Sequence, residues 1–364
     1  MHRILLVLLL CLPTTSPAAD PIDTRLLWRS SEVGEGVLLG DAHRMVPTAD
    51  AVHVLHGQMD VELVAIAADG TTSRVVPITG EAPGHVARVG GIDVSVDGTT
   101  LAVSNVMPAR TVVRSPVVPP FDRVETIDPV FDAAGFAIGA GVRVVDGAVV
   151  SYASQQTTSD LDTRIVRLVH HDLATGAATV LHEDGGTIRS GLDSRTAWTW
   201  DASTDGTVFV NDDYHTATIA AYAPDGTQRW RTEVPVRIVR KSDELIAANR
   251  ESYEAHREIL PGARMPTVLE NYAAIVGMSA RAEDDRLYVV SSAGRGSGLD
   301  TVESVEWWIL DATTGSVVGQ EWLELPEGAW VVDVIAWLDD RIYVMGEDMD
   351  RAGQPEVVCL ERVR

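Results

Sequence analysis

The chain of 364 residues reads as an all-β protein, a six-bladed β-propeller with four antiparallel strands to a blade. Three observations predict this. Six short β-branched runs recur roughly every 50 residues, a period that signals a repeat architecture rather than a set of unrelated domains. A turn pair of the Asp-Gly kind stands ahead of most of these runs, and a second turn follows the strand after each. Asp-Gly between alternating apolar stretches is a strong short-range hairpin signal, because the tight turn needs positive φ.

The runs are Ala51–Leu55, Thr100–Val103, Ala148–Ser151, Thr207–Val210, Arg286–Val290 and Arg341–Val344. The turns ahead of the last five are Asp97-Gly98, Asp146-Gly147, Asp205-Gly206, Asp284-Asp285 and Asp339-Asp340. Later turns fall at Asp69-Gly70, Thr175-Gly176, Asp225-Gly226 and Thr314-Gly315. Each unit therefore runs strand, turn, strand, loop, strand, turn, strand. Blade six offers only three strands before the chain stops, while Thr24–Arg29 is a strand without a blade. Residues 23–30 are thus expected to close blade six as its outer strand, which would cover an exposed sheet edge.

One helical insert, residues 242–263, is expected between blades four and five. Ser242 supplies a cap, Asp243 and Glu244 sit at the positive end of the helix dipole, and Leu245, Ile246, Asn249, Tyr253, His256 and Leu260 recur at helical spacing before Pro261-Gly262. At the other end of the chain, Met1-His2-Arg3, the apolar run Ile4–Leu12 and the small residues Ser16–Ala19 make residues 1–19 a secretory signal. The run is too short to span a bilayer, which takes about 20 residues. Residues 20–364 then form a single propeller domain, exported to the periplasm or the cell exterior, with no membrane insertion.

The repeats, and the blade written Trp200-Asp201-Ala202-Ser203-Thr204-Asp205-Gly206-Thr207-Val208-Phe209-Val210, resemble bacterial exported six-bladed propellers of the broad NHL-like and TolB-like grouping. Tyr222-Ala223-Pro224-Asp225-Gly226-Thr227 and the charged helix after Val239-Arg240 extend the likeness over essentially all of residues 20–364. The resemblance implies a fold and export. Members of this fold bind proteins, sugars or metals, or act as lactonases and lyases, and no catalytic set carries over residue by residue.

Charge narrows the partners. The chain carries 29 basic and 53 acidic residues, a net charge of −24, and Lys241 is its single lysine. Such acidity excludes a nucleic-acid footprint. With Cys11 inside the signal, Cys359 remains alone, so no internal disulfide forms. Nucleophile motifs fail: Gly294-Arg295-Gly296-Ser297-Gly298 satisfies neither a phosphate loop nor a nucleophile elbow. His53 and His56, like His170 and His171, point to opposite faces of a strand and cannot pair on a metal. Trp307-Trp308-Ile309-Leu310-Asp311-Ala312-Thr313-Thr314-Gly315 resembles a blade motif of quinone dehydrogenases but lacks the docking Trp, and Asp-x-x-Thr-Gly is a good turn in its own right.

The remaining signal is acidic. Asp60, Asp160, Asp162, Asp212 and Asp213 fall in expected second-to-third-strand loops, as do Asp300, Glu303, Glu347, Asp348 and Asp350. The richest loop is Asn211-Asp212-Asp213-Tyr214-His215, which joins acceptors, donors and a flat ring within five residues. It is the candidate ligand site, with Asp212 and Asp213 as candidate ligands of Ca²⁺, a cation that takes six to eight oxygens. The expected function is a monomeric binding module, with a protein or a small polar, carbohydrate-like ligand at the channel mouth. The alternative is a metal-assisted hydrolase or lactonase using carboxylates around the channel.

Overall fold

The computed structural model describes residues 21–34, 37–39, 44–57, 60–132, 135–157, 163–187, 198–259, 268–280, 285–293, 302–328, 330–351 and 354–363. The signal segment, the Gly294–Gly298 loop, Pro261-Gly262, Asp160, Asp162 and Asp300 lie outside them.

Six four-stranded antiparallel sheets follow one another along the chain. Blade one spans residues 44–77, blade two 89–127, blade three 135–187, blade four 199–233 and blade five 275–324. Blade six is built from Trp330–Leu338, Arg341–Asp348 and Gln354–Arg362, and its fourth, outer place is taken by Thr24–Ser30. Thr24 stands opposite Arg362 and Ser30 opposite Val357, with one bulge between Leu26 and Trp28. The first strand of every blade lines a central cavity, so each blade runs from inside outward in chain order.

The punctuating turns form for local reasons. Gly98 and Gly206 adopt φ of 70° and 83°, a region open to glycine and strained for residues with a Cβ. Asp97 and Asp205 accept hydrogen bonds from Ser95 and Ser203 Oγ, both at 2.5 Å, and from the N–H groups of Thr99 and Thr207, both at 3.0 Å. These bonds hold the carboxyls of Asp97 and Asp205 below the usual range. In blades five and six, where Gly is missing from the pair, Asp285 and Asp339 take φ of 53° and 54° themselves, which Asp tolerates better than most residues. The Asp-x-x-Thr-Gly stretch of blade five is such a turn: Asp311 Oδ1 accepts from the N–H groups of Thr313 and Thr314 at 3.0 and 2.8 Å.

Apolar clusters fill every junction between neighbouring blades. The single described α-helix, Asp243–Ile259, lies between blades four and five. Its N-terminus is capped by Ser242, whose Oγ accepts from Leu245 N–H at 3.1 Å. Ile246 is its buried anchor at 4% exposure, while most of its described side chains are exposed.

Two sequence expectations need correction here. Glu347 and Asp348 belong to the second strand of blade six, not to the loop after it. That strand runs further than its β-branched core, because pairing to Gln354 and Pro355 continues through both acids. Asp348 is fully buried against Arg29 of the closing strand at 3.5 Å, so it serves ring closure and not the channel.

Candidate binding site in the central channel

The inner strands of all six blades enclose a channel cavity of about 300 Å³, at the small end of ordinary ligand sites of roughly 300–1,000 Å³. Its chemistry is divided. Blades one, three and four bring Arg44, Arg143, Thr199 and Trp200, whereas blades five and six bring mainly Val276, Met278, Val290, Val332, Val334 and Ile335. Asp333 is the carboxylate of the lining.

Two buried aspartates position the polar side. Asp93, on the inner strand of blade two, accepts the N–H of Val144 on the inner strand of blade three at 2.6 Å. Asp201, on the inner strand of blade four, accepts the N–H of Ala280, just past the inner strand of blade five, at 2.8 Å. Each hooks its own blade to the next, and both belong to the same local pattern: Asp93-Val94-Ser95-Val96-Asp97-Gly98 and Asp201-Ala202-Ser203-Thr204-Asp205-Gly206. That repeat was the sequence signal for these hooks, and attention to the Asp-Gly pair alone passes over it.

Arg143 fills the space between the hooks. Its Nε donates to Asp201 Oδ1, its Nη1 to the Val142 carbonyl at 3.1 Å, and its guanidinium lies over the Trp200 ring at 5.4 Å. Burial opposes its charge, but Asp201 and Asp93 outweigh that and hold its pKa above the ordinary value. For Arg44 the balance reverses: desolvation, then the neighbouring Arg143 charge, lowers its pKa. The hydroxyls of the lining are largely engaged inside the fold, Thr199 with the Ile275 carbonyl at 3.3 Å and Ser291 with Glu306 at 2.5 Å.

The loop 211–215 has a different geometry from the one its composition suggests. Asn211 is buried at 3% exposure, and its Nδ2 donates to the carbonyls of Thr216 and Thr218 at 2.8 and 3.0 Å. Asp212 Oδ2 meets His182 Nε2 at 3.0 Å. That bond is the main reason its carboxyl lies below the usual range, against the opposing effect of burial. Asp213 Oδ1 accepts the N–H of His215 at 2.8 Å, an ordinary loop-capping contact. Tyr214 hydroxyl donates to the Asn271 carbonyl at 3.1 Å, and its own carbonyl accepts from Ala274 N–H at 2.9 Å. The loop is therefore stitched to the segment that returns from the helix. Among the described residues no group of three or more His, Cys, Asp or Glu side chains gathers where a metal could sit.

His182, on the outer strand of blade three, escaped the sequence reading because Asp212 is 30 residues away and no local pattern links them. Its ring packs against Trp198 at 4.8 Å and Tyr222 at 5.2 Å. Tyr152 joins Trp198 at 5.6 Å and Trp200 at 6.2 Å. A run of rings thus connects the loop acid Asp212 to the channel wall.

A ring of six four-stranded blades about a lined channel, completed by the first strand of the chain, is a six-bladed β-propeller. Comparison with known proteins agrees on the fold. No protein-family model matches the chain, and no curated protein matches it in sequence. Among solved structures it is similar to a presumed exported protein of Bacteroides fragilis, with 10% identity, a TM-score of 0.52, and 94% of this chain and 95% of that one covered. It is also similar to the WD40 repeats of RRP9, with 10% identity, TM-score 0.47, and 95% and 99% covered. The Swd1 propeller of Myceliophteria thermophila shows 11% identity and TM-score 0.44, with 94% and 100% covered. At 10% identity the likeness to the Bacteroides fragilis protein speaks for the fold alone. No described helix is long and apolar enough to cross a membrane.

Proposed function

We propose that this protein is a binding module, of the exported NHL-like or TolB-like kind, whose ligand is a small molecule held in the central channel. One observation carries the reading: a cavity of about 300 Å³ is walled by side chains from all six blades and combines an apolar side with a guanidinium-bearing one. No described residue of the loop 211–215 lines the cavity; Asn211, Asp212 and Asp213 bond instead to their own loop and to His182, so in this reading the loop is not the primary contact.

Native mass spectrometry against a small-molecule extract tests this. Wild-type protein should retain a small-molecule adduct, and Val332→Trp, which fills the channel, should lose it. Val180→Asp on the outer strand of blade three should keep it. An adduct that survives Val332→Trp in a folded ring would move the site elsewhere.

A further inference from the structure

The chemistry of the channel's two walls narrows the ligand beyond the binding reading above, on which this inference rests. Val276 remains 37% exposed although it faces the cavity, and Val332, Val334 and Ile335 are half-buried beside it. Apolar surface left open inside a concave site marks where an apolar body docks. Across the channel stand two guanidinium groups, Arg44 and Arg143. Arg143 spends Nε and Nη1 on Asp201 and Val142. Among the described residues its Nη2 carries no hydrogen bond, and its side chain is 28% exposed. Guanidinium nitrogens fixed in this way by a carboxylate and a stacked ring are pre-organised to receive an oxyanion.

The groups a sugar would need are scarce, since Thr199 and Ser291 are bonded within the fold and Asp93 and Asp201 are committed to the blade junctions. Among the described residues that line the cavity, Arg44 and Arg143 are cationic and Asp333 is a carboxylate.

We infer that the channel takes an amphiphilic organic anion, a carboxylate on a hydrocarbon body, with the carboxylate at Arg143 and Arg44 and the body against Val276, Val332 and Val334.

Calorimetry of the purified protein with octanoate, octanol, octylammonium and glucose tests the class. Octanoate should bind with saturation, octanol about tenfold or more weakly for want of a charge-assisted contact, and octylammonium and glucose not at all. Arg44→Gln should weaken octanoate about tenfold toward octanol, and Val276→Asp should abolish binding. Val318→Asp, on an exposed outer strand, should change nothing and controls for folding. Octanol as tight as octanoate, or tighter binding of octylammonium or glucose, would overturn the anion while leaving the channel as the site. Absence of binding for all four probes would also overturn it. The binding-module reading would then stand or fall separately, on whether Val332→Trp removes the adduct.

Discussion

Two junctions of the ring solve the same packing problem by opposite means. Between blades two and three the backbones touch. A Cβ on Gly90 would lie 2.4 Å from the Gly139 carbonyl oxygen, and one on Gly139 would lie 2.5 Å from that of Asn105. The apolar cluster there is small, built on Ala102, Val113, Val142, Val144 and Val149. Between blades six and one the filling is bulky instead, with Trp28, Leu39, Met45, Tyr343, Met345 and Cys359 among its buried members. Trp28 crosses that junction, donating Nε1–H to the Ala68 carbonyl at 2.9 Å. Where side chains are too small to hold two blades, a directional bond from the Val144 N–H to Asp93 does so; where the chain closes on itself, buried area does so.

The difference can be broken most severely at the thin junction. Gly139→Val should leave no folded ring, seen as loss of the cooperative melting transition, because backbone atoms cannot retreat as a flexible side chain can. Trp28→Ala at the thick junction should cost about 3–5 kcal/mol and lower the melting temperature while the protein still folds. A variant that melts unchanged would show that area does not close the ring.

Acid separates the two junctions further. His171, whose strand neighbours Leu173 of the thin junction's cluster, is buried and bonded to Ser151 at 2.9 Å, and burial, then His170, lowers its pKa to about 4. Its folded pKa lies below its unfolded value of about 6.5, so the unfolded state binds the proton first. Stability from this group is complete above pH about 6.5 and is lost as pH falls toward 4, by about 3 kcal/mol in all. Denaturation midpoints across that window should shift in the wild type and flatten in His171→Gln. At the thick junction the buried titratable groups include Cys359. Burial is the main cause of the Cys359 thiol's pKa rising to about 11.

Asp93→Ala should cost about 1–3 kcal/mol, measured by urea unfolding, by leaving the Val144 N–H without its acceptor. The mildest change is Gly98→Ala. A Cβ there meets nothing nearer than Thr48 Oγ1 at 4.0 Å, so only the strain of φ 70° remains, about 1–2 kcal/mol. A loss at Gly98 equal to that at Gly139 would show that backbone angle, and not close approach, governs both.

Local chemistry explains what the sequence made legible. Asp-Gly turns, the Ser242 cap and the β-branched runs act over a few residues, so blades and helix could be counted before any contact was known. Counting also left the last blade a strand short, a place that Thr24–Ser30 occupies. The site is another matter. Arg44, Arg143 and Trp200 share a cavity only because the ring brings distant blades together, and none carries a local mark. The close approach of Gly90 to Gly139 exists only once their strands lie side by side. In the loop 211–215 composition does not show the partners: Asp212 meets His182, Asn211 donates to Thr216 and Thr218, and Tyr214 donates to Asn271.

The strand that closes blade six also bears on how the ring assembles. Arg25 pairs with Glu361, 336 positions along the chain, whereas the remaining pairs within blades join near neighbours in sequence. Such a contact has a large loop-closure cost and must come late. Five blades can therefore condense in order as an open arc, with Thr24–Ser30 waiting unpaired until Gln354–Arg362 exists. The pace of folding should be set by this one pairing. A covalent link between Asp23 and Val363, whose backbones already meet at 2.9 Å, combined with a cut at the helical insert, would make that pairing local and speed the final step without altering the finished ring.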